Sequence, residues 1–395
     1  MTAIPTAPRI TSDADYNDDA DAGLSLAGAT GLVRIDLAAI ASNWRALAAR
    51  VAPARCGAVV KADAYGLGAA RVIPALADAG CTAFFIATPG EAETARALLP
   101  KADLFALDGL VGGTGETFAR LGVTPVLSTF DDVTRWAALA RSRGMRLPAA
   151  LHIDTGLNRL GLPARDVRRI ANETDVRAGL SLQLIMSHLA SADNPADAKN
   201  REQLLAFETL TGLFPGVPRS LAASDGLMLG PAYHFDLVRP GYALYGGQAS
   251  QSNPAPVRAA VTVMARILAI NDVPRGETVG YSATWRAMRP SRIATIAAGY
   301  ADGIPRSASA PDGRPGGYVM IGDTLAPIVG RVSMDLITVD VSDVPAGIAR
   351  AGEFARLIGD GLSIEDAGYA AGTIGYEILT RLGQRFHRVY TEDAR

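Results

Sequence analysis

The sequence predicts an α/β chain in two parts, a parallel (β/α)8 barrel of the TIM type followed by a mostly-β domain. Three observations carry this. From about residue 57 to 245, short apolar runs alternate with amphipathic stretches through about eight repeats. After about residue 256 the pattern becomes strand-rich and dense in turns. No Gly-x-Gly-x-x-Gly fingerprint opens a βαβ unit, which argues against a dinucleotide fold. The 395 residues exceed the usual span of one domain. The expected division is a tail at 1–30, a barrel at 31–256 and a β domain at 257–395.

Element by element, Leu32–Leu37 reads as a strand and Ser42–Val51 as a helix. The barrel strands are expected at Gly57–Ala62, Ala83–Ala87, Leu104–Leu107, Pro125–Leu127, Ala149–Ile153, Leu182–Ser187, Ser220–Ala223 and Asp236–Val238. Helical periodicity falls on Pro89–Leu99, Asp131–Arg143, Ala164–Asn172 and Ala198–Leu213. Ser252–Pro256 reads as a linker. Beyond it, Val257–Asn271, Ser291–Ala297, Tyr318–Ile321, Ala326–Val329 and Leu336–Val341 look like strands. Turns at Pro274-Arg275-Gly276 and Pro311-Asp312-Gly313 separate them.

Bulk properties narrow the function. The chain is 49% hydrophobic and 20% charged, ordinary for a globular enzyme. A net charge of −2 gives no basic footprint for nucleic acid and no polybasic membrane patch. No apolar run approaches the roughly 18–20 residues that cross a bilayer. Cys56 and Cys81 lack metal-ligand spacing and are expected to be reduced and buried. The first 30 residues hold Pro5, Pro8 and an acidic cluster from Asp13 to Asp21 instead of a signal-peptide core. A mobile tail and a cytoplasmic location are the expectations.

In a barrel, working groups sit at the C-terminal ends of the strands. Lys61 follows the first expected strand, in Val59-Val60-Lys61-Ala62-Asp63-Ala64-Tyr65-Gly66. A lysine at a strand end is ordinarily a solvated surface group. It forms an imine with a carbonyl compound when its amine is kept neutral often enough to attack. Asp154–Arg159 follows the fifth strand, Ser187-His188 ends the sixth, Ser224 follows the seventh and Arg239 the eighth. An imine-forming lysine points to pyridoxal phosphate, which stabilises carbanions. Ser224-Asp225-Gly226 and Pro240-Gly241-Tyr242 offer hydroxyl and amide groups for a phosphate, after the seventh and eighth strands where barrels often bind one. Either is also an ordinary turn. Arg239 would hold a pyridine nitrogen unprotonated, or would simply pair with Asp236. The later segments Gly280-Tyr281-Ser282-Ala283-Thr284 and Gly299-Tyr300-Ala301-Asp302-Gly303 add tyrosines able to move a proton if they face a cleft, and Gly330–Asp335 adds Met334, ordinarily core filler.

Together these motifs resemble the alanine racemase family, from about Val33 to Tyr390. The resemblance implies a pyridoxal 5'-phosphate enzyme that interconverts L- and D-alanine, supplying D-alanine for peptidoglycan, and works as a head-to-tail homodimer. Lys61 would carry the cofactor in imine linkage and serve as one base. Tyr281 of the second subunit would serve as the other. Arg159 would hold the substrate carboxylate, with the second subunit's Met334 lining the same pocket. Tyr65, Ser224, Gly241, Tyr242 and Tyr376 would contact the phosphate. Arg239 would meet the pyridine nitrogen, with His188 near the ring and hydrogen-bonded toward Arg239. No metal is expected.

Three positions depart from the family pattern. His152 stands where many members have a lysine, Ser333 where a cysteine is frequent, and Gly375 where an asparagine is. Alternatives within and beyond the class are a broader serine/alanine racemase, a related decarboxylase, a non-catalytic cofactor carrier and a metal-dependent hydrolase. The compact Tyr281 motif argues against the decarboxylase, and the region after residue 256 against the carrier. The four histidines, lacking a paired ligand motif, argue against the hydrolase.

Overall fold

The computed structural model describes residues 28–248, 250, 252–311, 314, 316–345 and 347–392. The expected tail, except for residues 28–30, lies outside the described residues, as do Asp312 and Gly313 of the turn expected there. The chain divides into two compact units. One comprises residues 36–260 with Ile374–Thr380; the other comprises residues up to Ile35 with Val261–Thr373 and Arg381–Thr391. Two short segments therefore cross the expected division at residue 256. Gly31–Asp36 pairs antiparallel with Val261–Val273, Leu32 opposite Met264, because its apolar face needs that sheet. Ile374–Thr380 belongs with the barrel.

The barrel unit is built on a seven-stranded parallel sheet in sequential order. Its strands are Ala58–Val59, Ala83–Ile86, Asp103–Ala106, Thr124–Leu127, Leu147–His152, Leu180–Met186 and Arg219–Ser220. Every residue of Ala83–Ile86 and of Thr124–Leu127 is buried, as a strand covered on both faces requires. The eighth place is taken by Leu237–Val238. It bonds back to Arg219 and Ala222 through the amides of Asp236 and Arg239. On its other side it pairs in parallel with Arg55–Cys56, and Gly57 and Val59 donate to the carbonyls of Val238 and Pro240. The ring of hydrogen bonds is thereby closed.

Local chemistry starts the flanking helices. Thr88 and Glu91 form a capping box before Pro89–Leu98, as Thr129 and Asp132 do before Phe130–Ser142. Asp36 caps Leu37–Val51 by accepting from the Ala39 amide at 2.7 Å. Trp136, fully buried, spends its indole N–H on the Pro148 carbonyl at 2.9 Å.

In the β unit, an eight-stranded sheet is centred on the long strand Val261–Val273. Gly31–Asp36, Phe354–Ile358 and Ser291–Ile296 all pair with it. Strands Phe354–Ile358 and His387–Thr391 are additions to the expected set. Both are only five residues long, too short for a clear alternation. Leu32, Met264, Val389 and Ala29 form one apolar cluster, and Val279, Ile293 and Val329 another.

Asn43, buried in the barrel unit, donates to the carbonyls of Leu244 and Arg258 and accepts from the Arg258 amide. Asn43→Ala strands all three backbone groups. It should cost about 2–4 kcal/mol, read as a lowered urea midpoint.

Candidate active site

Lys61 opens a turn that few side chains tolerate. Ala62, Asp63, Ala64 and Tyr65 all lie in the left-handed region, with φ from 52° to 60°. The strand expected to run to Ala62 ends before Lys61 for this reason. Such backbone costs about 1–2 kcal/mol per residue, so neighbours must hold it. Glu91 accepts from the Ala62 amide at 2.9 Å and from the Ala87 amide at 2.7 Å. The Asp63 carboxylate accepts from the Ala69 amide at 2.7 Å. Gly66 (φ 83°) follows, and a Cβ there would stand 2.9 Å from the Leu379 carbonyl. Lys61 itself is half-buried and adds its charge to the field felt by His188.

Arg239 lies at the end of the eighth strand, 3% exposed. It donates to Ser220 Oγ at 2.5 Å and to the carbonyl of Ser187 at 2.6 Å. The pairing with Asp236 left open by the sequence does not form, since Asp236 pairs with Arg219. The expected hydrogen bond with His188 is also replaced. The guanidinium is instead claimed by Ser220 and the backbone, which fix it without charge. Burial pulls the guanidinium down to about 9, leaving it charged at neutral pH.

That charge adds to burial in setting the state of two histidines. Burial first, then Arg239 and Arg159, pull His188 down to about 3 and His152 down to about 4. Both are neutral at pH 7. His152 Nδ1 lies 3.5 Å from Ser128 Oγ. Arg159 sits on the loop after the fifth barrel strand. Asp154 shapes this loop by accepting from the amides of Gly156, Leu157 and Asn158. The Arg159 side chain is exposed.

Ser224, Gly241, Tyr242, Tyr65 and Tyr376 come together at the same end of the barrel. Ser224 Oγ accepts from the amides of Gly241 at 3.1 Å and Ala243 at 3.2 Å. Both lone pairs are used, so its hydrogen is the part left to give. The Tyr65 hydroxyl occupies the space that a Cβ on Gly241 would need. Tyr376 stacks on Tyr242 with ring centres 3.9 Å apart and lies 6.3 Å from Tyr65, which packs at 4.9 Å on Tyr245. Tyr376 donates to Asp225 at 3.4 Å. Burial pushes Tyr65 up to about 12 and raises Tyr376 as well, so these phenols keep their protons and act as donors.

Tyr281 and Met334 lie in the other unit, on two segments that meet in structure though not in sequence. A Cβ on Gly330 would stand 2.7 Å from the Val279 carbonyl, and Arg331 donates to Ser282 Oγ at 3.1 Å. The Tyr281 turn and the Met334 loop are thus stapled together. Both side chains face solvent, 71% and 54% exposed.

Sequence reasoning missed the supports. Gln203, fully buried, donates to Thr155 Oγ1 and the His188 carbonyl and accepts from the Ala190 amide. Thr155 meets Ser187 at 2.7 Å. A polar residue on the buried stripe of Ala198–Thr211 was the available signal for Gln203. Glu91 was masked by its ordinary capping role. Cys56 and Cys81 are free and buried. Among the described residues no cluster is placed to hold a metal ion, and no helix is long and apolar enough to cross a membrane.

Residues 35–249 match the family model "Alanine racemase, N-terminal domain" and residues 260–390 match "Alanine racemase, C-terminal domain". An alanine racemase of Methylobacterium nodulans is 47% identical over 358 residues, 91% of this chain and 95% of that one. One of Brucella canis is 45% identical over 376 residues, 92% of this chain and 94% of that one. The crystal structure of alanine racemase from Bartonella henselae, with covalently bound pyridoxal phosphate, superposes with a TM-score of 0.87 at 38% identity. It covers 92% of this chain and 100% of that one. Biosynthetic alanine racemase from Pseudomonas aeruginosa gives 0.84 at 34%, covering 92% of this chain and 99% of that one. With both family models matched in order and relatives this similar along nearly their whole length, the chain belongs to the alanine racemase family.

Proposed function

We propose that this chain interconverts L- and D-alanine with pyridoxal phosphate as cofactor, as a homodimer in which Tyr281 and Met334 of each subunit complete the other's pocket. The observation that carries the reading is the strained turn that presents Lys61 at the barrel end where Arg239, Ser224 and Tyr65 gather.

The residues fit the cofactor. At the Ser224 corner a hydroxyl has its hydrogen left to donate, and the glycine at 241 has room for nothing larger. Tyr65, Tyr242 and Tyr376 would complete the cradle for a phosphate. Lys61 would hold the cofactor covalently, with Arg239 toward its pyridine nitrogen and His188 near its ring. When bound, pyridoxal phosphate supplies an electron sink that acidifies the α-hydrogen of an amino acid joined to it.

The chain's own groups do the rest. Arg159, exposed and charged, would take the alanine carboxylate in a charge-assisted contact. Inversion needs a proton removed from one face and another returned to the opposite face. Once the amino acid's own amine has taken its place and left it a free amine, Lys61 Nζ would take the α-proton of D-alanine while Tyr281 Oη delivers to the other side, with the roles reversed for L-alanine. A lone amine would return the proton mainly to the face it came from. The exposure of Tyr281 and Met334 in a single chain supports their burial against a second subunit. Neutral His152 and His188 add no charge beside Arg239, so the field at the site is set by arginine. Unpaired buried cysteines fit a cytoplasmic enzyme. The likeness to a relative named as biosynthetic supports D-alanine supply for peptidoglycan.

Chiral chromatography after incubation with single L-amino acids tests the reading. Alanine should racemise far faster than serine, and equal rates would favour the broader racemase. Lys61→Ala should remove the visible absorption of the lysine-bound cofactor; a retained band would refute the attachment. Tyr281→Phe should keep the cofactor and lose roughly 10²–10⁴ in racemisation. Isotope exchange should show proton loss from L-alanine impaired more than from D-alanine, and equal impairment would contradict two bases. The histidines set an acid limit. Their folded values lie below the ordinary 6.5, so the unfolded chain binds more protons between 6.5 and about 3. Stability should be full above pH 6.5 and fall below it. His152→Gln should flatten that fall in urea midpoints measured across the range.

A further inference from the structure

We infer that Arg385 is a positioning residue for the alanine pocket, acting through the loop that carries Met334. The inference rests on the reading that Met334 lines that pocket. It also gives a role to the Gly299–Gly303 motif, which the proposed function leaves without one.

Three segments far apart in sequence meet here: 299–303, 330–335 and 381–385. Arg385 grips Asp302 with a two-pronged contact, Nε to Oδ1 and Nη2 to Oδ2, both 2.7 Å. Its remaining nitrogen, Nη1, reaches Asp335 Oδ1 at 2.6 Å. One guanidinium therefore ties two carboxylates, as its planar fork allows and a lysine ammonium does not. Asp302 is 4% exposed and also accepts from the Gly299 amide at 2.9 Å. The backbones interlock around this clamp. Tyr300 and Ala301 donate to the carbonyls of Ser333 and Met334 at 3.0 and 2.9 Å, and Gly383 donates to that of Asp302 at 2.9 Å. A Cβ on Gly299 would strike the Met334 carbonyl, and one on Gly303 the Arg381 carbonyl.

What the clamp leaves outside is informative. Tyr300 and Met334 project from it into solvent, although their backbones are fixed on both sides. An exposed side chain on a rigidly braced loop is suited to meet something rather than to pack its own core. Asp335 adjoins Met334, so the Asp335–Arg385 contact sets where Met334 is presented. The same loop begins at Gly330 and Arg331, which back the Tyr281 turn. Ser333 closes the loop on itself through Leu336, donating at 2.7 Å and accepting at 3.1 Å.

The test uses full-length holoenzyme and five variants: Arg385→Gln, Arg385→Lys, Asp335→Asn, Met334→Ala and the double variant Arg385→Gln with Asp335→Asn. Arg385→Gln should retain cofactor absorption and raise KM for alanine about tenfold, with kcat changed less than about threefold. A role in folding alone would instead lower kcat with the active fraction and leave KM alone. Arg385→Lys should recover only part of the KM. Asp335→Asn keeps the Asp302 contact, so it stays informative if Arg385→Gln fails to fold, and it too should raise KM. The double variant should be no worse than Arg385→Gln. Raised KM in Met334→Ala with unchanged KM in Arg385→Gln and Asp335→Asn would overturn the inference alone. Unchanged KM in Met334→Ala would remove the Met334 reading and the inference with it.

Discussion

Four consecutive left-handed residues after Lys61 are the constraint on which the barrel end depends. At about 1–2 kcal/mol each, the turn stores about 4–8 kcal/mol, comparable with the whole stability of an ordinary domain. It persists because the surroundings over-determine it. Glu91 holds the Ala62 amide, Asp63 reaches forward to Ala69, and Gly66 lets the Leu379 backbone approach. The turn swings Tyr65 onto Tyr245 and against Gly241, so one backbone device places both an amine and a phenol.

The second organising feature is a buried cation held by neutral partners. Ser220 and backbone carbonyls satisfy Arg239, while the carboxylate that could have neutralised it is engaged by Arg219. Burial, reinforced by that unbalanced charge, keeps both nearby imidazoles unprotonated. A site whose arginines are not cancelled by acids attracts anionic groups, and both an amino-acid carboxylate and a phosphate are anionic.

Most of the barrel was legible in the sequence because each strand is an apolar run between amphipathic helices, and burial on both faces leaves no ambiguity about period. The residues gathered at its C-terminal end were legible for the same reason: they are polar punctuation at the ends of such runs. The left-handed turn was not, since Ala62-Asp63-Ala64-Tyr65 has the composition of a helix and only Gly66 and Gly68 hint otherwise. Glu91 was hidden by its ordinary capping role, and Gln203 was marked only as a polar residue on a buried helix stripe. The pairing of Gly31–Asp36 with Val261–Val273 was invisible because a strand's partner some 230 residues away leaves no mark on local pattern. Arg385 showed no local signal either, because its importance lies in two acids remote from it along the chain.

The short helix Gly375–Thr380 belongs to the barrel unit although more than a hundred residues of another unit separate it from the rest. It brings the ring that covers Tyr242 and the carbonyl that Gly66 was shaped to admit. The corner where Tyr65, Gly241 and Tyr242 meet therefore stays unroofed until a segment made more than a hundred residues later folds back onto it. A product truncated before Ile374 would keep the strands of the ring and lose both the ring stacked on Tyr242 and the backbone packed against Gly66.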